Sequence, residues 1–302
     1  MIKSVSEFIC AIEKENPGVE AVILNIGGEE VLEKVFYPLA ARNIYSHTKS
    51  FTSTAVGIAI DEGKISLDTK LSELFPEYLN LAVSKEIKEI KLKHILTMSS
   101  GFGKPYLMGA DRRAGVGYPD YMAYMFSRPV IDKPGTKFVY STADSHLAAR
   151  MVEKAVSKNI NAYLYEKLFS KMDIGFPIWE TDPQGHPIGG GGLHLSLRDM
   201  MKLGILYLNK GMWKNERIVS EEWVNLATTK KIDTGNSDSW GKEYGYQFWM
   251  GPKKCAFRAD GAHGQLSFVF PSENAVLGIQ CSDYNDFPKF QKLLNETVFN
   301  II

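Results

Sequence analysis

Strand signals gather at the two ends of this chain, and helix signals fill the middle; that distribution constrains the fold most. Val19 to Ile26 is dense in β-branched and apolar residues. Gly27-Gly28 follows, then a second strand-like run from Glu30 to Tyr37, which together read as a hairpin. Near the other end, Tyr244 to Met250, Cys255 to Asp260, Leu266 to Phe270 and Ala275 to Cys281 read as strands, the last two flanking the turn residues Pro271 to Asn274. Between the ends, Ser50 to Asp61 is apolar nearly all round, the pattern of a buried helix. Ala143 to Ser157 spaces Leu147, Ala148, Met151, Val152 and Ala155 as one helical face. Ser196 with Asp199, and Ser220, are expected N-caps of two further helices. The expectation is an α+β fold: one mainly antiparallel sheet built from both chain ends, covered by helices, with a helical insertion beside it. The expected division is 1–62 with 188–302 for the sheet part, and 63–187 for the mainly helical part.

Composition narrows the partners. Lys plus Arg number 35 and Asp plus Glu number 35 in 302 residues, so the formal net charge is zero. Nucleic acid and anionic membrane both reward a basic patch, and neither is expected as a partner. No apolar stretch approaches the roughly 18 residues of a spanning helix. The apolar cluster Phe8 to Ile12 ends at Glu13, too short for a signal-peptide core. Cys10, Cys255 and Cys281 are scattered and read as reduced thiols, so the expected compartment is the cytoplasm. The six histidines show no metal-ligand spacing, and no metal or other cofactor is expected. What remains is a protein working on a small molecule; its oligomeric state is not legible.

Three segments could carry chemistry. Ser46-His47-Thr48-Lys49 opens the buried helix, and residues three apart on a helix share a face. A buried lysine amine loses proton affinity and can take the serine proton, while the helix start supplies N–H groups for an oxyanion. The same spacing recurs at Ser239 and Lys242, in a polar stretch that reads as surface loop, and a serine at a helix start can equally be a simple cap. Tyr140-Ser141-Thr142 follows the turn Lys133 to Thr136 and could bring a phenol into a cleft, or merely pack. Gly261-Ala262-His263-Gly264-Gln265 leads into a strand and could line an oxyanion site, or simply bend.

In their order, these pieces resemble the serine β-lactamase-like superfamily: class C β-lactamases, DD-peptidases, and related esterases and amide hydrolases of the 6-aminohexanoate-dimer hydrolase type. The resemblance runs from about Val19 to Cys281. Ser46-x-x-Lys49 is similar to the family's nucleophile motif, and His94 to Gly101 resembles the loop after its next helix. Tyr140-Ser141-Thr142 resembles its Tyr-x-Asn element, and Gly189 to Leu193 its Gly-Gly-Leu segment. Ala262-His263-Gly264 falls where the family has Lys-Thr-Gly or His-x-Gly. The resemblance implies Ser46 as nucleophile, Lys49 and Tyr140 sharing proton transfer, and the backbone N–H groups of Ser46 and Gln265 as oxyanion hole. Thr142, Ala262, His263 and Gly264 would meet the substrate.

Thr142 in place of an amide and Ala262 in place of a lysine point away from β-lactams and toward a small ester or amide. Neutrality would then extend into the cleft, with Lys49 its main cation. The alternatives are a DD-peptidase or weak β-lactamase, and, in another class, a non-catalytic binding or scaffold protein that keeps the fold. Gly189 to Gly192 reads as a flexible approach to the cleft, with no phosphate-loop lysine after it. Asp111-Arg112-Arg113 and Lys253-Lys254 read as solvated charges, His94 and His146 as hydrogen-bonded helix residues, and Tyr244, Tyr246, Phe248 and Trp249 as strand core, with lining of an acyl pocket by some of them the alternative. Loops 104–135 and 229–243 are expected to shape the pocket.

Overall fold

The computed structural model describes residues 1–301 except 239, 253 and 254, and the side chains of 300 and 301 lie outside that description. The expectations for Ser239 and for Lys253-Lys254 therefore lie outside the described residues. Eight strands form one antiparallel sheet: β1 (Val19–Ile26), β2 (Glu29–Val35), β3 (Ile232–Asp233), β4 (Glu243–Tyr244), β5 (Trp249–Met250), β6 (Phe257–Gly261), β7 (Gln265–Phe270) and β8 (Ala275–Cys281). Their spatial order is β2-β1-β8-β7-β6-β5-β4-β3. The two chain ends meet where β1 pairs with β8, from Val19 opposite Cys281 to Ile26 opposite Ala275. Gly27 and Gly28 both take positive φ, 64° and 91°, as a tight two-residue hairpin with right-handed twist requires.

The centre of β1, Ala21 to Leu24, is apolar at every position because both faces are covered. Val22 and Leu24 join Leu266, Phe268, Leu277 and Ile279 under two terminal helices, α1 (Ile2–Glu15) and α5 (Phe287–Glu296). Ala21, Ile23, Val269 and Val276 face the opposite way, into the larger core shared with α2 (Thr48–Asp61), α3 (Thr142–Val156) and α4 (Leu197–Leu208). Neither terminal helix was legible as such. In α1, Val5, Phe8, Ile9 and Ile12 form one buried stripe on an otherwise charged segment. Among the described residues no helix is long and apolar enough to cross a membrane.

The expected caps are present: the Trp223 N–H donates to Ser220 Oγ at 3.1 Å, and the Asp199 N–H to Ser196 Oγ at 3.2 Å. One strand expectation needs correction. Tyr244 to Met250 is not a single strand but β4 and β5, reversed by Gln247 at φ 65° and closed by the Gly245 N–H donating to the Phe248 carbonyl at 2.8 Å.

Helix α2 is buried from Thr48 to Ala59, and its hydroxyls bind carbonyls of surrounding loops. Ser50 Oγ donates to the Gln247 carbonyl at 2.8 Å, Thr52 Oγ1 to that of Gly189 at 2.7 Å, and Ser53 Oγ to that of Tyr246 at 2.7 Å. Gly57 lets the Trp223 indole lie against the helix, where a Cβ would fall 2.3–2.5 Å from ring atoms. Alanine is the better helix former by about 1 kcal/mol, but a rigid indole cannot give way and overpacking costs about 1–3 kcal/mol. Gly57→Ala should therefore lower the denaturant midpoint at unchanged m-value, as read by chemical unfolding.

Candidate active site

Ser46 sits in a 3₁₀ turn, Tyr45–His47, one step before α2 rather than inside it. The turn is held from three sides. Tyr45 adopts φ 48°, a left-handed conformation uncommon for a side chain of its size, and its N–H donates to Asn43 Oδ1 at 2.7 Å. His47 is wholly buried, with Nε2 3.0 Å from Ser267 Oγ on β7, and burial pushes its pKa down to about 3, so it stays neutral. Gly261, the last residue of β6, lies so close that a Cβ there would come 2.1 Å from the Ile44 carbonyl oxygen and 3.2 Å from the His47 nitrogen. The sheet edge and the Ser46 turn thus touch backbone to backbone.

Lys49 lies one helical turn below. Its side chain is 1% exposed, and Nζ donates to the Gly190 carbonyl at 2.8 Å and to Thr142 Oγ1 at 3.5 Å. Nζ also lies 5.1 Å from the Tyr140 ring centroid. Burial first, then the nearby Arg112 charge, lower the Lys49 pKa to about 7, while Asp144 opposes them. Tyr140 stacks on Trp249 at 5.5 Å and meets Tyr244 edge-on at 6.2 Å. Burial raises its phenol well above the ordinary range, partly offset by the neighbouring Ser46. Tyr140, more than ninety residues from Ser46 and Lys49 in sequence, is therefore brought to the same place as both. Tyr140 precedes α3 because Ser141 caps that helix, its Oγ accepting from the Ala143 N–H at 3.2 Å.

A cavity of about 850 Å³ opens above them, lined by Ser46, Met108, Tyr140, Trp240, Trp249, Arg258, Asp260 and Ala262, with Phe287, Gln291 and Asn295 of α5 on the far wall. Both loops expected to shape it contribute, through Met108 and through Asp238, Trp240 and Gly241. The segment after Gly261 corrects the sequence reading. Ala262 lines the cleft, but His263 (φ 61°) and Gly264 (φ 77°) form the turn beyond the strand. The His263 ring packs on Tyr45 at 4.9 Å, and a Cβ on Gly264 would meet Cys281 Sγ at 2.6 Å. Gln265 is fully buried in the sheet, its Nε2 donating to the Cys281 carbonyl at 2.8 Å, and it does not line the cleft. Thr142 is buried at the start of α3, facing Lys49 rather than the cavity.

Four residues of the site left no clear mark in the sequence. Arg258 brings to the cleft a second cation besides Lys49. Its Nε donates to Asp260 Oδ2 at 2.9 Å, Nη1 to the Met250 carbonyl at 2.9 Å and Nη2 to the Trp240 carbonyl at 2.6 Å, between the Trp240 and Trp249 rings. Asp260 completes that pair. Asp144, in the first turn of α3, is buried, accepts from Ser100 Oγ at 2.8 Å, and is pushed by burial up to about 7. Arg112, expected in solvent, is largely buried and bonded to Glu180. Alternation at 258 and 260 on β6, continued by 262 just past its end, was the one local signal available, and only for Arg258 and Asp260.

Two glycine and histidine expectations also change. Gly189 to Gly192 is not a flexible approach but a packed wall, its carbonyls holding Thr52 and Lys49. His94 is hydrogen-bonded, accepting from the Lys91 N–H at 3.2 Å, whereas buried His146 has only Asp182 at 3.4 Å. Of the aromatics, Trp249 lines the cleft, Tyr244 backs Tyr140, and Tyr246 and Phe248 are core. Among the described residues no cluster of side chains has the makings of a metal site.

An antiparallel sheet flanked by helices, with a Ser-x-x-Lys turn and a tyrosine meeting at its edge, is the architecture of β-lactamase/transpeptidase-like serine hydrolases. The chain belongs to the Beta-lactamase family, whose model matches residues 16–293. It is 27% identical over 291 residues to 6-aminohexanoate-dimer hydrolase of Paenarthrobacter ureafaciens, covering 87% of this chain and 72% of that protein. It is 26% identical over 174 residues to lovastatin esterase of Penicillium rubens, covering 51% of this chain but only 42% of that one. A family VIII carboxylesterase structure superposes with a TM-score of 0.73 at 17% identity, over 99% of this chain and 96% of that one, a likeness of fold alone.

Proposed function

We propose that this protein is a serine hydrolase that acts through an acyl-enzyme on a small ester or amide. The observation that carries the reading is Lys49: a buried amine held by the Gly190 carbonyl and packed against Tyr140, which lines the cleft together with Ser46; burial lowers its pKa to about 7. Ser46 Oγ attacks the substrate carbonyl as its proton leaves through Tyr140 toward Lys49. With the phenol raised and the amine lowered, Lys49 is the group free of its proton near neutrality, and Tyr140 relays as a neutral phenol. The backbone N–H groups of Ser46 and Ala262 hold the oxyanion, Ala262 taking the part first given to Gln265 because it borders the cleft beside Ser46. The leaving group departs with the returned proton, and water releases the acid.

The substrate reading rests on the cleft. It has aromatic walls, no lysine at Ala262, and a guanidinium each of whose nitrogens is already engaged, so a substrate carboxylate would compete with Asp260. Sheet segments 1–62 and 188–302 would carry the nucleophile and oxyanion edge, and the helical 63–187 the tyrosine. A panel of p-nitrophenyl esters, D-amino-acid amides and nitrocefin tests the reading. The expected result is ester or amide turnover that disappears in Ser46→Ala. Faster nitrocefin turnover would favour the weak β-lactamase, and release of D-amino-acid products from peptides the DD-peptidase. A Ser46→Ala protein with full biological function would favour the scaffold.

A further inference from the structure

Arg112 sits on the short helix Gly109–Ala114, between the cleft wall and the glycine segment behind Lys49. Its side chain is 12% exposed. Nε and Nη2 donate to both carboxylate oxygens of Glu180, at 2.9 and 3.0 Å, and Nη1 donates to the Leu107 carbonyl at 2.7 Å. Glu180 in turn lies across Gly192, where a Cβ would fall 2.3 Å from its own Cβ, and its N–H donates to the Gly192 carbonyl at 2.9 Å. The neighbouring Trp179 Nε1 donates to the carbonyls of Ile188 and Gly191 at 2.9 and 3.1 Å. A Cβ on Gly191 would stand 3.7 Å from Arg112 Nη2. One residue earlier, the Gly190 carbonyl receives Lys49 Nζ.

We infer that Arg112 is a positioning residue of the site: with Glu180 it fixes the glycine segment that holds Lys49, and its permanent charge favours the neutral amine. The inference rests on the reading of Lys49 as base. A guanidinium does not titrate in the working range, so its influence on the amine is constant with pH. The groups facing Lys49 are Asp144 and Thr142 of α3, the Tyr140 ring, the Gly190 carbonyl and, at longer range, Arg112; Asp144 is the one that favours the ammonium.

The test is the rate of Ser46 labelling by a fluorophosphonate across about pH 5.5 to 9, in the intact protein and in Arg112→Gln, Arg112→Lys and Glu180→Gln. The unaltered protein should gain rate through about pH 7 as Lys49 loses its proton. Arg112→Gln should move that limb upward on the order of half a pH unit, roughly a threefold loss on its acid side, and Arg112→Lys should restore it. Glu180→Gln should move the limb downward, because the guanidinium then lacks its neutralising partner. Loss of a merely structural clamp would affect both variants in the same direction. An unmoved limb in folded Arg112→Gln, or like shifts in Arg112→Gln and Glu180→Gln, overturns the inference. Should Arg112→Gln fail to fold, the sign of the Glu180→Gln shift decides. Absence of Ser46 labelling in the unaltered protein overturns the proposed function itself, and this inference with it.

Discussion

Lys49→Met should lower kcat/KM on a p-nitrophenyl ester by about 10²–10⁴-fold, the range of a lost general base. Methionine has nearly the same length and no charge, so it fits the pocket between α2, α3 and Gly190 while removing the amine. The stability consequence has a defined sign. The folded-state pKa of about 7 lies below the ordinary 10.5, so between these values the unfolded chain binds more protons. The Lys49 contribution to stability should therefore rise with pH through that window. In Lys49→Met the contribution disappears and the slope flattens, as urea unfolding at several pH values would show. An activity loss under threefold, or an unchanged slope, would remove Lys49 from the account.

Gly190→Ala should cost about 10²-fold in kcat/KM with the protein still folded, the scale at which misplacing a reacting group by about 1 Å registers. The alanine Cβ would fall 2.5 Å from Lys49 Nζ, against 3.0 Å from Thr142 Cγ2 and 3.1 Å from Ser145 Cβ. The lysine amine is the flexible partner among these and must move. Gly190 does not adopt a positive φ, so the effect is collision with the lysine and not backbone strain. Thermal unfolding within a few degrees of the unaltered protein, together with the activity loss, would establish this; full activity would show that Lys49 can work from another position.

How much of this was legible in the sequence depended on the range of the contact. β1 and β8 declared themselves through runs dense in β-branched and other apolar residues, and the Ser46, Tyr140 and Gly189 segments through their order along the chain. The two glycines around Ala262-His263 could not be told apart by spacing. Only the packed structure picks Gly261, whose missing Cβ admits the Ile44 carbonyl, and assigns Gly264, at φ 77°, to the turn. Arg112 with Glu180 and Arg258 with Trp240 pair across 68 and 18 residues, and such pairing follows no local period. The far wall of the cleft comes from α5, a charged segment with only Phe290, Leu293 and Leu294 buried.

All of the chemistry proposed for the cleft depends on Ser46 being a nucleophile activated by Lys49 and Tyr140. Fluorophosphonate treatment followed by intact mass and peptide mapping tests it most directly. A single adduct is expected on the Ser46 peptide, absent in Ser46→Ala and slowed in Lys49→Met. No adduct on folded protein, or one that persists in Ser46→Ala, would contradict it.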